Sequence, residues 1–178
     1  MSTRLGPLEL SGGRWVVGDL KRAGGSCFVL ADAGLEHRRP GPQETRTLIP
    51  WPRFRVLHLR ATRRTWLAAR PLGMLNGASA AGPVGGPAAC SMAGLLRDPY
   101  EYWTVGYSHH RREYDHKDIY LAGHLFPITV KAGAADRLGD PEWVGDVVAR
   151  LTELRGLPYE AAGREATGIV REYATCPV

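Results

Sequence analysis

Lysine is nearly missing from this chain, since 20 of its 23 basic residues are arginine. Cysteine is sparse as well. Cys27, Cys90 and Cys176 are three widely separated thiols, an odd number without the spacing of a disulfide framework or a zinc knuckle. That scarcity excludes a small secreted disulfide scaffold and points to reduced thiols in the cytoplasm. Met1 to Trp15 lacks the apolar core of a secretory signal. From Pro71 through Leu96 charge is absent altogether, but three prolines and six glycines interrupt the stretch. Too little continuous Leu, Ile, Val or Phe surface remains there to favour hydrocarbon, so no transmembrane segment is expected. The common catalytic signatures are missing too: no Gly-x-Ser-x-Gly, no His-Glu-x-x-His, no Cys-x-x-Cys and no EF-hand loop occurs. The glycine-rich run Gly82 to Pro87 lacks both the Lys-Ser/Thr of a P-loop and the glycine pattern of a dinucleotide turn, which makes it a linker. No cofactor is expected.

What is present is an ordinary globular composition, 44% hydrophobic and 23% charged over 178 residues, enough for one cored domain with an extension. Charge is unevenly placed. Residues 1–75 carry a net +8 and residues 76–178 a net −3. A basic front half meets phosphate backbone, anionic lipid or an acidic protein, unless arginine merely fills solvated positions.

The front half reads as short strands between turn signals: Arg14 to Val17, Cys27 to Ala31, Leu35 to Arg39, Glu44 to Ile49, Phe54 to Arg60 and Thr65 to Arg70. In the fifth of these, strict alternation puts Phe54, Val56 and His58 on one face and Arg55, Leu57 and Leu59 on the other. A long loop is expected from Pro71 to Leu96, with one strand near Leu72 to Leu75, and a further strand from Tyr102 to Ser108. The remainder is helical. Asp118 to Ala134 has apolar residues at helical spacing around Pro127. Asp140-Pro141 is an N-cap followed by proline, opening a helix that buries Val144, Val147, Val148, Leu151 and Leu154 and stops at Gly156. Tyr159 to Tyr173 repeats the pattern with Ala162, Ala166, Ile169 and Val170.

Gly13-Arg14-Trp15, then Gly34-Leu35-Glu36-His37-Arg38-Arg39, then Ile49-Pro50-Trp51 before an alternating strand resemble bacterial PH-like domains. Ser108-His109-His110 through Arg137-Leu138-Gly139-Asp140-Pro141 is similar to stretches of actinobacterial proteins. The PH-like resemblance implies an α+β fold: a small, strongly bent antiparallel sheet or partly open barrel closed by a helix and followed by C-terminal helices. Its layout is residues 1–70 and 102–134 as the strand-rich domain with closing helix, 71–101 as a largely uncharged Gly/Ala/Pro-rich loop, and 135–178 as a helical extension. It also implies a docking module for lipid, peptide or protein, with no activity attached.

Three readings of the chemistry follow. Arg53, Arg55, Arg60, Arg63, Arg64 and Arg70 are interleaved with Trp51, Phe54 and Trp66. Guanidinium groups beside exposed rings suit an anionic macromolecule, whether nucleic acid, an acidic protein or a lipid head group. In that reading Arg53, Arg55, Arg60, Arg63 and Arg64 make the ionic contacts and Trp51 or Trp66 is the aromatic anchor; in the competing one the rings are core. The second reading places a metal-assisted or acid-base enzyme on His109, His110, Asp115 and His116, since imidazole and carboxylate suit divalent ions. Against it, adjacent histidines on an extended strand point to opposite faces, and Asp115 also serves as a helix N-cap. The third is a self-assembling subunit, a homo-oligomer joined through the helices from Asp140 onward.

Overall fold

The computed structural model describes residues 3–22, 24–39, 44–63 and 90–175. The strands expected at 65–70 and near 72–75, together with Arg64 and Trp66, lie outside the described residues. The fold is α+β: two antiparallel sheets, not closed into a barrel, are followed by C-terminal helices.

The first sheet is a six-stranded meander of β1 (Arg4–Leu5), β2 (Leu8–Ser11), β3 (Arg14–Val17), β4 (Cys27–Ala31), β5 (Gly34–Arg39) and β6 (Thr45–Pro50), each paired with its neighbour in sequence. Two-residue turns fix the register of three of its hairpins. Gly12 and Gly13 join Ser11 to its partner Arg14 with φ of 58° and 77°, the doubly left-handed turn whose twist matches that of the strands. Asp32 and Ala33 join Ala31 to Gly34 in the next tight hairpin. Every residue of β4 is buried, which explains its unbroken apolar composition.

Pro50 ends β6, and a 3-10 turn at Trp51–Arg53 leads into the second sheet. That sheet has the order β7 (Phe54–Arg60), β8 (Ser91–Leu96), β9 (Glu101–Gly106). The end of the uncharged run is therefore a strand rather than loop. Ser91–Leu96 lacks β-branched residues, but it sits between two partners, where packing outweighs propensity.

The alternation expected in β7 is also corrected. Phe54 pairs with Leu96 while Val56 pairs with Leu95, so Arg55 is the extra residue of a β-bulge. The bulge resets the pleat. Phe54 and Leu57 are buried, while Arg55, His58 and Arg60 are exposed.

Helix α1 (His116–Lys131) begins where the Asp115 carboxylate accepts from the Lys117 amide at 2.7 Å. It carries Pro127 inside and packs on β7. Asp140 accepts from the amides of Glu142 and Trp143 and starts α2 (Pro141–Glu153), with proline at the first position. A 3-10 turn at Leu154–Gly156 leads to α3 (Tyr159–Thr175). One hydrophobic cluster joins Leu5 and Leu8 of the first sheet, Leu57 and Met92 of the second, and Leu125, Val147 and Val170 of the helices. Residues after 135 thus share the core of the strands. Among the described residues no helix is long and apolar enough to cross a membrane.

Candidate functional site

Paired residues of antiparallel strands project to the same side of a sheet. The register of β7, β8 and β9 therefore sets Val56, Leu95 and Tyr102 in one row and His58, Ala93 and Thr104 in the next, with Arg60 beside Ser91 beyond them. This is the outer face, since Leu57, Gly94 and Met92 on the reverse are buried. Tyr102 is 91% exposed, the most open of the large hydrophobic residues, and nearby Tyr100 is 68% exposed. Alternate residues along a strand stand about 7 Å apart and neighbouring strands about 5 Å. By these spacings Val56 lies about 10 Å from Tyr102, and Arg60, two rows further along β7, about 17 Å from it across the half-apolar face.

The arginines expected to bind divide in two. Arg55 and Arg60 are exposed, and neither forms an ion pair among the described residues. Arg53 is held by its neighbours. Its guanidinium donates to the Arg97 carbonyl at 3.2 Å and pairs with Glu101 at 3.4 Å. Arg63 pairs with Glu113 at 3.5 Å. Trp51 is corrected as an anchor: it is 2% exposed, its indole N–H donates to the Ala31 carbonyl at 2.9 Å, and its ring packs against Phe54. The 3-10 turn aims the ring inward between the two sheets, where burial of a large aromatic outweighs any surface use. The exposed aromatic at this face is Tyr102. Its only sequence signal was a position in a strand, which does not say which face it occupies.

The histidine segment is corrected too. His109 is 1% exposed, and its two ring nitrogens face backbone carbonyls, that of His110 and, at 2.9 Å, that of Thr62. Its ring stacks on Tyr114 with centroids 4.0 Å apart. His110 turns away, its Nδ1 2.7 Å from the Tyr114 hydroxyl and its Nε2 3.7 Å from Glu9. Asp115 is spent on the α1 cap. His116 is exposed on the first turn of that helix. The four side chains therefore do not converge. Among the described residues no three His, Cys, Asp or Glu side chains are placed to share a metal ion.

What the segment builds instead is a polar clasp. Arg112 donates to Glu9 at 2.8 Å and to the Gly6 carbonyl at 3.0 Å, tying the β1–β2 hairpin to the loop before α1. The Arg112 hydrogen bond lowers the pKa of Glu9, and burial lowers that of His110 despite the nearby Glu9. Cys27 and Cys90 are free and buried. Burial pushes the Cys27 thiol up to about 11 and raises that of Cys90, which disfavours the thiolate a nucleophile needs.

Comparison of the chain with protein-family models, with curated proteins and with solved structures finds no match.

Proposed function

We propose that this chain is a non-enzymatic docking protein that binds an anionic macromolecule on the outer face of its three-stranded sheet. The observation that carries the reading is Arg60 on the same face of the sheet as the exposed Tyr102 ring, with Arg55 exposed at the bulge of the same strand and neither arginine having a carboxylate partner among the described residues. Guanidinium groups supply charge-assisted contacts to phosphate or carboxylate. A rigid tyrosine adds contact area at little entropic cost. The PH-like resemblance, which implies a docking module, points the same way. A cytoplasmic setting suits the buried free thiols Cys27 and Cys90.

The test titrates fluorescent probes, a single-stranded oligonucleotide and a glutamate-rich peptide, and runs vesicle sedimentation with anionic lipid, each at low and raised salt. The expected result is salt-sensitive binding of one probe, weakened at least about tenfold by Arg55→Glu/Arg60→Glu with the melting temperature held within a few degrees. Failure of the wild-type chain to bind any of them, or unchanged binding by the double variant, overturns the reading.

A further inference from the structure

A second surface lies on the side of α1 that meets α3. A groove of about 480 Å³ opens there, walled by Ile119, Ile128 and Pro127, with Tyr120, Gly123 and His124 supplying its polar groups. No lining residue is acidic, and none is lysine or arginine.

The polar groups are mostly acceptors, and the reason lies in the backbone. Pro127 has no N–H, so the Gly123 carbonyl, four residues earlier, loses the donor that a helix interior normally gives it. A Cβ built on Gly123 meets nothing within 4 Å, so space adjoins this turn. His124 adds an acceptor. Its Nδ1 lies 2.8 Å from the Tyr120 carbonyl, which accepts only, so Nδ1 carries the hydrogen, and Nε2 offers a lone pair whenever it bears none. The Thr167 hydroxyl donates its hydrogen to the Gly163 carbonyl at 2.8 Å and so offers only lone pairs. Gly163 of α3 makes room for this arrangement, because a side chain there would strike the Tyr120 hydroxyl and come within 3.5 Å of His124 Nε2.

A partner complementary to this groove is flat and apolar, carries no net charge, and brings an N–H donor to a surface rich in acceptors. The volume falls within the range of small-molecule sites. We infer that the α1–α3 groove binds a neutral aromatic N-heterocycle whose ring N–H donates to the Gly123 carbonyl, with the ring body against Ile119, Pro127 and Ile128. This site is separate from the charged sheet face and takes a different class of ligand.

Indole and 1-methylindole serve as probes, because they differ chiefly in the one donor. Each is titrated into the full ¹⁵N-labelled chain and followed by amide chemical shifts. The expected result is indole-dependent shifts confined to residues 119–128 and 163–167, with 1-methylindole at least about tenfold weaker. Pro127→Ala restores an N–H to the Gly123 carbonyl and favours the helix, so its effect on binding is separable from unfolding. In that variant indole should fall to the level of 1-methylindole. Equal binding of the two probes by the wild-type chain, absence of indole binding, shifts centred elsewhere, or retained discrimination in Pro127→Ala overturns the inference.

Discussion

Three tryptophans are held through their indole nitrogens. Trp15 donates to the Pro141 carbonyl at 2.9 Å, Trp51 to Ala31 at 2.9 Å and Trp143 to Tyr173 at 3.1 Å. Each bond crosses between elements, so the ring fills the core while its polar edge fixes where a second element ends or turns. For Trp51 the consequence is measurable. Trp51→Phe leaves the Ala31 carbonyl without its donor and shrinks a buried ring, so unfolding stability should drop by about 1–3 kcal/mol in urea titration; an unchanged midpoint would remove the bond from the account. At this scale the residue types of the candidate face were legible and their exposure was not. Trp51 and Tyr102 are both aromatics, yet one is core and the other solvent-facing. The difference is set by the 3-10 turn before β7 and by the register of β9, which a single sequence does not display.

The elements that could be read directly were those with local punctuation. Both helices opened by Asp115 and Asp140 announce themselves by a carboxylate that satisfies free amides, and the second also by its proline. Asp140→Ala removes an acceptor shared by two N–H groups and should cost about 1 kcal/mol, about 2–4 °C in melting temperature for a chain of this size, with Asp140→Asn close to wild type. Equal losses for the two variants would argue against capping. The strands that escaped detection are informative in the opposite way. β1 has two residues, too few for a pattern. β8 reads Ser-Met-Ala-Gly-Leu-Leu and owes its conformation to the neighbours on either side. At Gly94 a side chain would run within 2.5 Å of the Val56 carbonyl, so a residue that weakens a strand elsewhere is required by the close approach here. The bulge at Arg55 defeats an alternation rule because one inserted residue inverts the phase of everything before it.

At the scale of the whole molecule, charge and burial combine into a definite response to acid. Burial lowers the pKa of His37 and of His110, whereas arginine hydrogen bonds lower those of Glu9 and Glu36. A folded-state value below the unfolded one means that the unfolded chain binds more protons as pH falls, so stability is full above the unfolded value and declines below it. For the histidines that decline starts near pH 6.5, and for the carboxylates near pH 4.5. The melting temperature should therefore fall from pH 7 to pH 5, and less so in His37→Gln/His110→Gln. A flat profile over that interval in the wild-type chain would contradict the assignment. The overall class, strands followed by helices, was legible because hairpin turns and helix caps are local. The clasp of Arg112 on Glu9 was not, since its partners are 103 residues apart.

That separation has a counterpart in the candidate face itself. Arg60 and Ser91 are paired across neighbouring strands although thirty residues of sequence lie between them, while three hairpins of the first sheet close over two. Joining distant segments is entropically dearer, by about 0.6 kcal/mol for each doubling of the intervening length, and long-range pairings of this kind slow folding. The six-stranded meander can zip from turn to turn before β8 arrives. The face that carries Arg60 and Tyr102 is then completed late, so on the proposed docking reading competence to bind is a report that the chain has finished folding.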